Sequence, residues 1–125
     1  MEPDDIYKID TFHSEGNEVT ATVIFNENHS LFAGHFPGNP IVPGVVQVQI
    51  IKNLAEKHLG RNLFLTQAKN IKFLSVISPL ANPKVEITLL FRAIIVDDYP
   101  IQASIRSSSI TFMKFSGIFK PGSML

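Results

Sequence analysis

The fold is decided by residues 34–60, which read GHFPGNPIVPGVVQVQIIKNLAEKHLG. Three prolines and two glycines lie within 35–44, and no helix or strand tolerates that density. Because proline fixes φ and removes a backbone donor, this part is predicted to be a rigid, extended loop. A long helix is predicted to follow over about 44–59, with Pro43 suited to its first turn and Gly60 to the position after its last turn.

Apolar side chains cover about half of the circumference of this predicted helix when its residues are placed 100° apart. They are Val48, Ile50, Ile51, Leu54, Ala55 and Leu59. The other side carries polar residues, namely Gln49, Lys52, Asn53, Glu56 and Lys57. A helix with so wide an apolar arc must be covered by another layer, most simply by a curved sheet.

Alternation of apolar and polar residues predicts half-buried strands on both sides of the helix. Before the helix, a turn at Gly16-Asn17 precedes residues 18–26, where Val19, Ala21, Val23 and Phe25 share a face. After the helix, strands are predicted over 63–77, 84–92, 101–106 and 109–119. We therefore predict a single α+β domain over residues 1–125, with one long helix against five or six antiparallel strands.

Composition excludes several classes of function. The chain has 125 residues, 45% of them hydrophobic, with 11 basic and 11 acidic side chains. This length suits one domain, and zero net charge argues against a nucleic-acid partner. Cysteine is absent, and no histidine pair has metal-ligand spacing with a carboxylate, so no metal and no cofactor is expected. No apolar run approaches the roughly 20 residues of a membrane span, and the start is acidic, so we expect a cytoplasmic protein without a membrane partner.

The zero net charge hides an uneven distribution along the chain. Residues 1–50 hold one basic and seven acidic side chains, whereas residues 51–125 hold ten basic and four acidic ones. One interpretation is a basic face that attracts an acidic partner. Its members would include Lys52, Lys57, Arg61, Lys69 and Lys72. The alternative is chance placement on solvated faces.

Residues 34–45, GHFPGNPIVPGV, lie at the mouth of the predicted helix and resemble the signature of the 3-hydroxyacyl-[acyl-carrier-protein] dehydratases of fatty-acid synthesis. Ile71-Lys72-Phe73 resembles the third strand of that family, and residues 44–47, GVVQ, resemble a branch linked to polyene pigments and specialised lipids. The resemblance implies a hotdog fold, in which a curved antiparallel sheet wraps one central helix. It also implies a dimer, with a homodimer expected and a hexamer or heterodimer left open.

The activity implied by the resemblance is syn elimination of water from a 3-hydroxyacyl thioester, giving a trans-2-enoyl thioester. The acyl chain would be carried on the phosphopantetheine arm of an acyl carrier protein. The catalytic histidine of the family falls on His35, and histidine suits removal of an α-proton near neutral pH. A backbone amide at the helix start would stabilise the resulting oxyanion. The implied substrate-binding residues are Phe36, Pro43, Gly44, Val45 and Asn53.

One position departs from the family pattern. The family has a carboxylic acid five residues after the second glycine of the loop, and this chain has Gln49 there. An amide has no proton to give at neutral pH, so Gln49 is predicted to hold a water or the hydroxyl by hydrogen bonds. Glu56 lies roughly 10 Å further along the helix and cannot replace the acid. Gln47 is predicted to be buried, with hydrogen bonds to the loop backbone.

Three functions remain open from the sequence. The chain could be a dehydratase with a modified acid, with His35 and Gln49 as its catalytic residues. It could instead be half of a heterodimer whose partner supplies the acid. It could also be a non-catalytic or thioesterase-like subunit that binds an acyl carrier protein. In each case the C-terminal phenylalanines, Phe112, Phe115 and Phe119, are predicted to be core or interface residues.

Overall fold

In the described residues, six strands form one antiparallel sheet and a long helix packs against one of its faces. The computed structural model describes residues 1–2, 4–34, 38–93 and 95–122. The elements are β1 (Tyr7–Glu15), β2 (Glu18–Phe25), α1 (Ser30–Gly34), α2 (Gly44–Leu59), β3 (Leu63–Phe73), β4 (Lys84–Phe91), β5 (Tyr99–Ser107) and β6 (Ile110–Pro121). Their order across the sheet is β1-β2-β4-β5-β6-β3, so β1 and β3 are the edges. The predicted α+β arrangement is confirmed.

The first hairpin follows the predicted alternation. β1 pairs with β2 from Tyr7 opposite Phe25 to Glu15 opposite Glu18. Gly16 in the turn has φ 57°, a conformation that glycine adopts without steric cost. Every second side chain of β2 is buried, and these are Val19, Ala21, Val23 and Phe25. This face points toward α2.

The inward faces of the remaining strands complete the core. The buried residues of β4 and β5 are Val85, Ile87, Leu89, Phe91, Ile101, Ala103 and Ile105. The C-terminal phenylalanines Phe112, Phe115 and Phe119 are also buried, which confirms that they are core residues. Each buried Val, Leu, Ile or Phe side chain stabilises the fold by about 1.5–3 kcal/mol relative to an exposed one.

The bounds of α2 agree with the sequence prediction at both ends. Pro43 is its N-cap, with φ −60° and ψ 150°, rather than part of its first turn. Gly60 has φ 68°, and its N–H donates to the carbonyl of Glu56, which ends the helix. The buried residues of α2 are Val46, Gln47, Ile50, Ile51, Leu54 and Ala55. No helix in the described ranges is long and apolar enough to cross a membrane.

Two features differ from the sequence prediction. The short helix α1 was missed because five residues are too few to show a helical period; the N–H of Leu31 donates to His29 Nδ1 at 2.9 Å in its first turn. β3 ends at Phe73 rather than at residue 77. The chain leaves the ladder there because the amides of Leu74 and Ser75 both donate to the carbonyl of Phe112.

Candidate functional site

A pocket of about 320 Å³ opens at the N-terminal end of α2. Two segments form it: the loop that enters α2, and the end of β3 with the residues that follow. Its lining residues are Ile41, Val42, Pro43, Gly44, Gln47, Phe73, Leu74, Ser75 and Val76. The loop is fastened to the second segment because the Val42 amide donates to the carbonyl of Ile77 at 2.9 Å.

Phe73 packs directly over Gly44. A Cβ built on Gly44 would lie 2.5 Å from Phe73 Cζ, far inside normal carbon–carbon contact. The position therefore needs glycine for the ring to lie where it does. Phe73 is 54% exposed, so its ring forms a wall of an open pocket. The sequence predicts that Phe73 lies in a strand. It does not predict the contact with Gly44, 29 residues away, because that contact depends on how distant segments pack.

The backbone amides of Gly44 and Val45 lie at the open end of α2. The next two amides, of Val46 and Gln47, both reach the carbonyl of Pro43, at 3.1 and 3.2 Å. The N–H groups before them have no acceptor within a helix, and they carry the positive end of its dipole. This end of α2 can therefore stabilise negative charge that develops on an oxygen bound in the pocket.

Gln47 supports the pocket from inside. Its side chain is buried, and its Nε2 donates to the carbonyl of Val42 at 3.2 Å, which confirms the predicted contact with the loop. No residue of the described ranges donates to Gln47 Oε1. Because an unpaired buried acceptor costs about 1–3 kcal/mol, an amide is an expensive choice at this position for stability alone.

Gln49 lies on the exposed side of α2 and begins a chain of polar contacts. Its Nε2 donates to Asn53 Oδ1 at 2.9 Å, and Asn53 Nδ2 donates to Tyr7 Oη at 2.5 Å. The chain thus connects α2 to the start of the edge strand β1. It orients the Gln49 amide.

The structure brings together only part of the predicted site. Pro43 and Gly44 line the pocket. The other predicted residues are Val45, Gln49 and Asn53, whose side chains lie outside the pocket lining, and His35 and Phe36, which lie outside the described residues. The roles of these five residues stay predictions. Gln47, Phe73 and Val76 join the site from the structure.

Ionisable groups near this part of α2 have structural partners. Burial raises the pKa of the Tyr7 hydroxyl, the hydrogen bond from Asn53 lowers it in part, and the charge of Glu56 raises it further. Tyr7 therefore keeps its proton in neutral solution. Glu56 Oε2 accepts from the Leu63 amide at 2.9 Å and lies 4.0 Å from Lys52 Nζ. In the part of the chain that is described, no three His, Asp or Glu side chains gather to hold a metal ion.

The predicted basic face is divided between separate surfaces. Lys57 lies 5.3 Å from the ring centroid of Phe12 on β1, and Arg61 Nη1 donates to Tyr99 Oη at 3.1 Å. Lys72 instead lines a groove on the face of the sheet that points away from α2. Lys72 thus lies on a different surface from Lys57.

Comparisons with known sequences agree with this arrangement. Residues 11–96 match the model of the ApeI-like family, described as ApeI dehydratase. The chain is 34% identical over 71 residues to 3-hydroxyacyl-[acyl-carrier-protein] dehydratase FabZ of Lactiplantibacillus plantarum, covering 51% of this chain and 48% of that protein. It is 35% identical over 75 residues to FabZ of Clostridium acetobutylicum, covering 54% and 52%. The chain spans about half the length of the curated relatives it matches.

A solved structure has the same architecture. It is described as the dehydratase heterocomplex ApeI:P from Xenorhabdus doucetiae, and its TM-score to this chain is 0.70. The match covers 96% of this chain and 99% of that one at 15% identity, so it shows the fold alone. The predicted hotdog fold is confirmed.

Proposed function

The chain belongs to the ApeI-like dehydratase family, and from that premise we propose that it removes water from a 3-hydroxyacyl thioester. The product is a trans-2-enoyl thioester, and the acyl chain is carried on the phosphopantetheine arm of an acyl carrier protein. The similarity to two FabZ proteins, named as dehydratases of 3-hydroxyacyl-[acyl-carrier-protein], supports this substrate class.

The open end of α2 beside an apolar wall is the observation that carries the proposal. The thioester carbonyl accepts hydrogen bonds from the amides of Gly44 and Val45, which stabilise the charge that grows as the α-proton leaves. Phe73 and Val76 offer apolar surface for the acyl chain, and both line the pocket. Orientation by a few polar groups within an apolar pocket is typical of small-molecule sites.

His35 is the proposed base, nine residues before Gly44 in the sequence. Its neutral imidazole takes the proton from the carbon next to the thioester carbonyl. The electron pair of that C–H bond forms the new double bond as the bond between C3 and the hydroxyl oxygen breaks. The hydroxyl takes a proton from a bound water, in place of a carboxylic acid, and leaves as water. The imidazolium of His35 then returns its proton to the hydroxide that remains.

Gln49 cannot supply that proton because an amide is not an acid at neutral pH. We assign it the role of holding the hydroxyl or a water in the pocket of a second copy of this chain, because its side chain lies outside the pocket of its own chain. Asn53 and Tyr7 fix the orientation of the Gln49 side chain. Loss of a general acid reduces a rate by about 10²–10⁴-fold. The isolated chain is therefore proposed to be a slow dehydratase.

Mass spectrometry of a 3-hydroxyacyl carrier protein incubated with the chain tests this function. We expect the wild type to convert the acyl group to the enoyl product and His35→Ala not to do so. His13→Ala is the matched control because His13 is exposed on β1, at the far end of the hairpin from Tyr7. Equal turnover by the wild type and His35→Ala contradicts the proposed mechanism.

A second arrangement is favoured by Gln49 together with the heterocomplex reported for the ApeI:P structure. In it, a homologous partner chain supplies the missing carboxylic acid. The exposed position of Gln49 and the unpaired edge of β3 leave room for such a chain. Co-expression with homologous hotdog chains tests it: a stable complex should turn over faster than this chain alone. An active homodimer at full rate contradicts it.

The same mass spectra separate the remaining alternatives. A thioesterase would release the free 3-hydroxy acid and leave the carrier-protein thiol. A non-catalytic subunit would bind the acyl carrier protein without changing the mass of the acyl group. Light scattering of the purified chain gives the oligomeric state, for which we propose a homodimer.

A further inference from the structure

A second groove, of about 410 Å³, lies on the face of the sheet that points away from α2. Four adjacent strands, β3 to β6, contribute to it. Its residues alternate along each strand with buried ones: Thr88 lies between Ile87 and Leu89, and Ser104 between Ala103 and Ile105. The proposed dehydratase reaction uses none of this surface.

The lining of this groove is rich in hydrogen-bond donors. Its ammonium groups and hydroxyls come from Lys72, Lys114, Thr88, Ser104 and Ser116. Gln102 adds an amide. No carboxylate is among the described residues that line it. Ammonium and hydroxyl groups together suit a ligand with several negatively charged oxygens.

The two lysines of the groove, Lys72 and Lys114, repel each other when no ligand is bound. Lys72 and Lys114 are direct partners in the ladder between β3 and β6. Like charges directly opposite each other in a sheet are destabilising. Two other lysines of the sheet have carboxylate partners: Lys84 lies 2.8 Å from Asp10, and Lys120 lies 3.1 Å from Asp98.

No carboxylate within the described ranges pairs with Lys72 or Lys114. Two further cross-strand pairs extend the same row, because Ser104 is the partner of Lys114 and Thr88 is the partner of Ser104. The row thus presents two ammonium groups and two hydroxyls side by side on one face of the sheet.

We propose that this groove binds the phosphate group of a small phosphorylated molecule. One dianionic phosphate relieves the repulsion between Lys72 and Lys114 by accepting hydrogen bonds from both. The volume of the groove lies within the range of small-molecule sites and exceeds what a phosphate alone needs, so it also holds an organic part.

An NMR titration of the ¹⁵N-labelled chain with glycerol 3-phosphate at constant ionic strength tests the proposal. We expect saturable shifts confined to the amides of the groove, and no such response to glycerol. Lys72→Gln and Lys114→Gln should each weaken binding about tenfold. Lys120→Gln, on the same strand as Lys114 but outside the groove, should leave the affinity unchanged.

Thermal unfolding without ligand gives a second readout. Lys114→Gln should raise the midpoint of unfolding by up to about 4 °C because it removes the like-charge pair. Lys120→Gln should not raise it, since it removes an ion pair.

Two results of the NMR titration overturn the proposal. One is that glycerol 3-phosphate shifts the amides of Lys52 and Lys57 as much as those of the groove. The other is that Lys120→Gln weakens binding as much as Lys114→Gln does. Groove shifts caused by an acyl carrier protein but not by glycerol 3-phosphate also overturn it.

Discussion

Gln47 and Gln49 are two positions apart on α2, yet they have different environments. Their side chains point to nearly opposite sides of the helix, because two residues correspond to a rotation of roughly 200° around its axis. Gln47 is 3% exposed and bonded to the loop, whereas Gln49 is exposed and bonded to Asn53. The first amide therefore belongs to the wall of the pocket, and the second belongs to a surface that a partner chain can cover.

This difference separates a residue that supports the pocket from a residue for which we propose a role in the chemistry. A change at Gln47 alters the loop that carries Val42 and Pro43, and so the shape of the pocket. A change at Gln49 alters an exposed functional group without disturbing the core. The position that lacks the expected acid is thus the one where an acid can be restored at little cost to stability.

The largest effect expected from this comparison is on stability. Gln47→Glu should lower the free energy of unfolding by about 3–5 kcal/mol at pH 7, because it buries a charge without a partner. Gln49→Glu should change it by less than about 0.5 kcal/mol. Urea unfolding of both variants measures the difference, and Gln47→Met, which adds no charge, is the control. Equal losses would show that the two environments are alike.

Gly44→Ala should have the next largest effect. The added Cβ meets the ring of Phe73, and the strain should cost about 1–3 kcal/mol and close the pocket. Thermal unfolding and binding of an acyl pantetheine thioester measure the two effects. The double variant Gly44→Ala/Phe73→Ala should recover the strain. If the single variant is as stable as the wild type, Phe73 does not pack on Gly44.

Tyr7→Phe should have the smallest effect and tests the polar chain that begins at Gln49. Removal of the hydroxyl breaks the hydrogen bond from Asn53 and should cost about 0.5–1.5 kcal/mol at pH 7. The folded-state pKa of Tyr7 is raised above the unfolded value near 10, so its proton contributes stability below pH 10. That contribution is lost as the pH rises through the folded-state pKa.

The wild type should therefore lose more stability than Tyr7→Phe above pH 10. Unfolding midpoints measured from pH 8 to pH 11 on both proteins isolate this contribution of Tyr7, because the two proteins differ only in its hydroxyl. Parallel curves would contradict the burial of Tyr7.

Much of the fold follows from local sequence patterns. Period-two alternation predicts the buried face of β2, and Pro43 and Gly60 predict the bounds of α2, because these signals act over a few residues. The helical wheel also places Gln47 toward the core and Gln49 on the polar side. Helix geometry alone decides that contrast.

The rest depends on contacts between distant segments. Phe73 reaches Gly44 only because β3 pairs with β6 and ends there, and an exposed edge strand with bulges shows no clear alternation. The chain of Gln49, Asn53 and Tyr7 joins residues 46 positions apart. The outer groove needs side chains from four strands whose order in space differs from their order in the sequence.

We propose that this chain has a dehydratase site with a base and without an acid. Turnover of a 3-hydroxyacyl carrier protein by Gln49→Glu, relative to the wild type and to Gln49→Met, tests it most directly. We expect a gain of at least about 10²-fold for Gln49→Glu and no gain for Gln49→Met. A folded Gln49→Glu variant that is no faster than the wild type would contradict it.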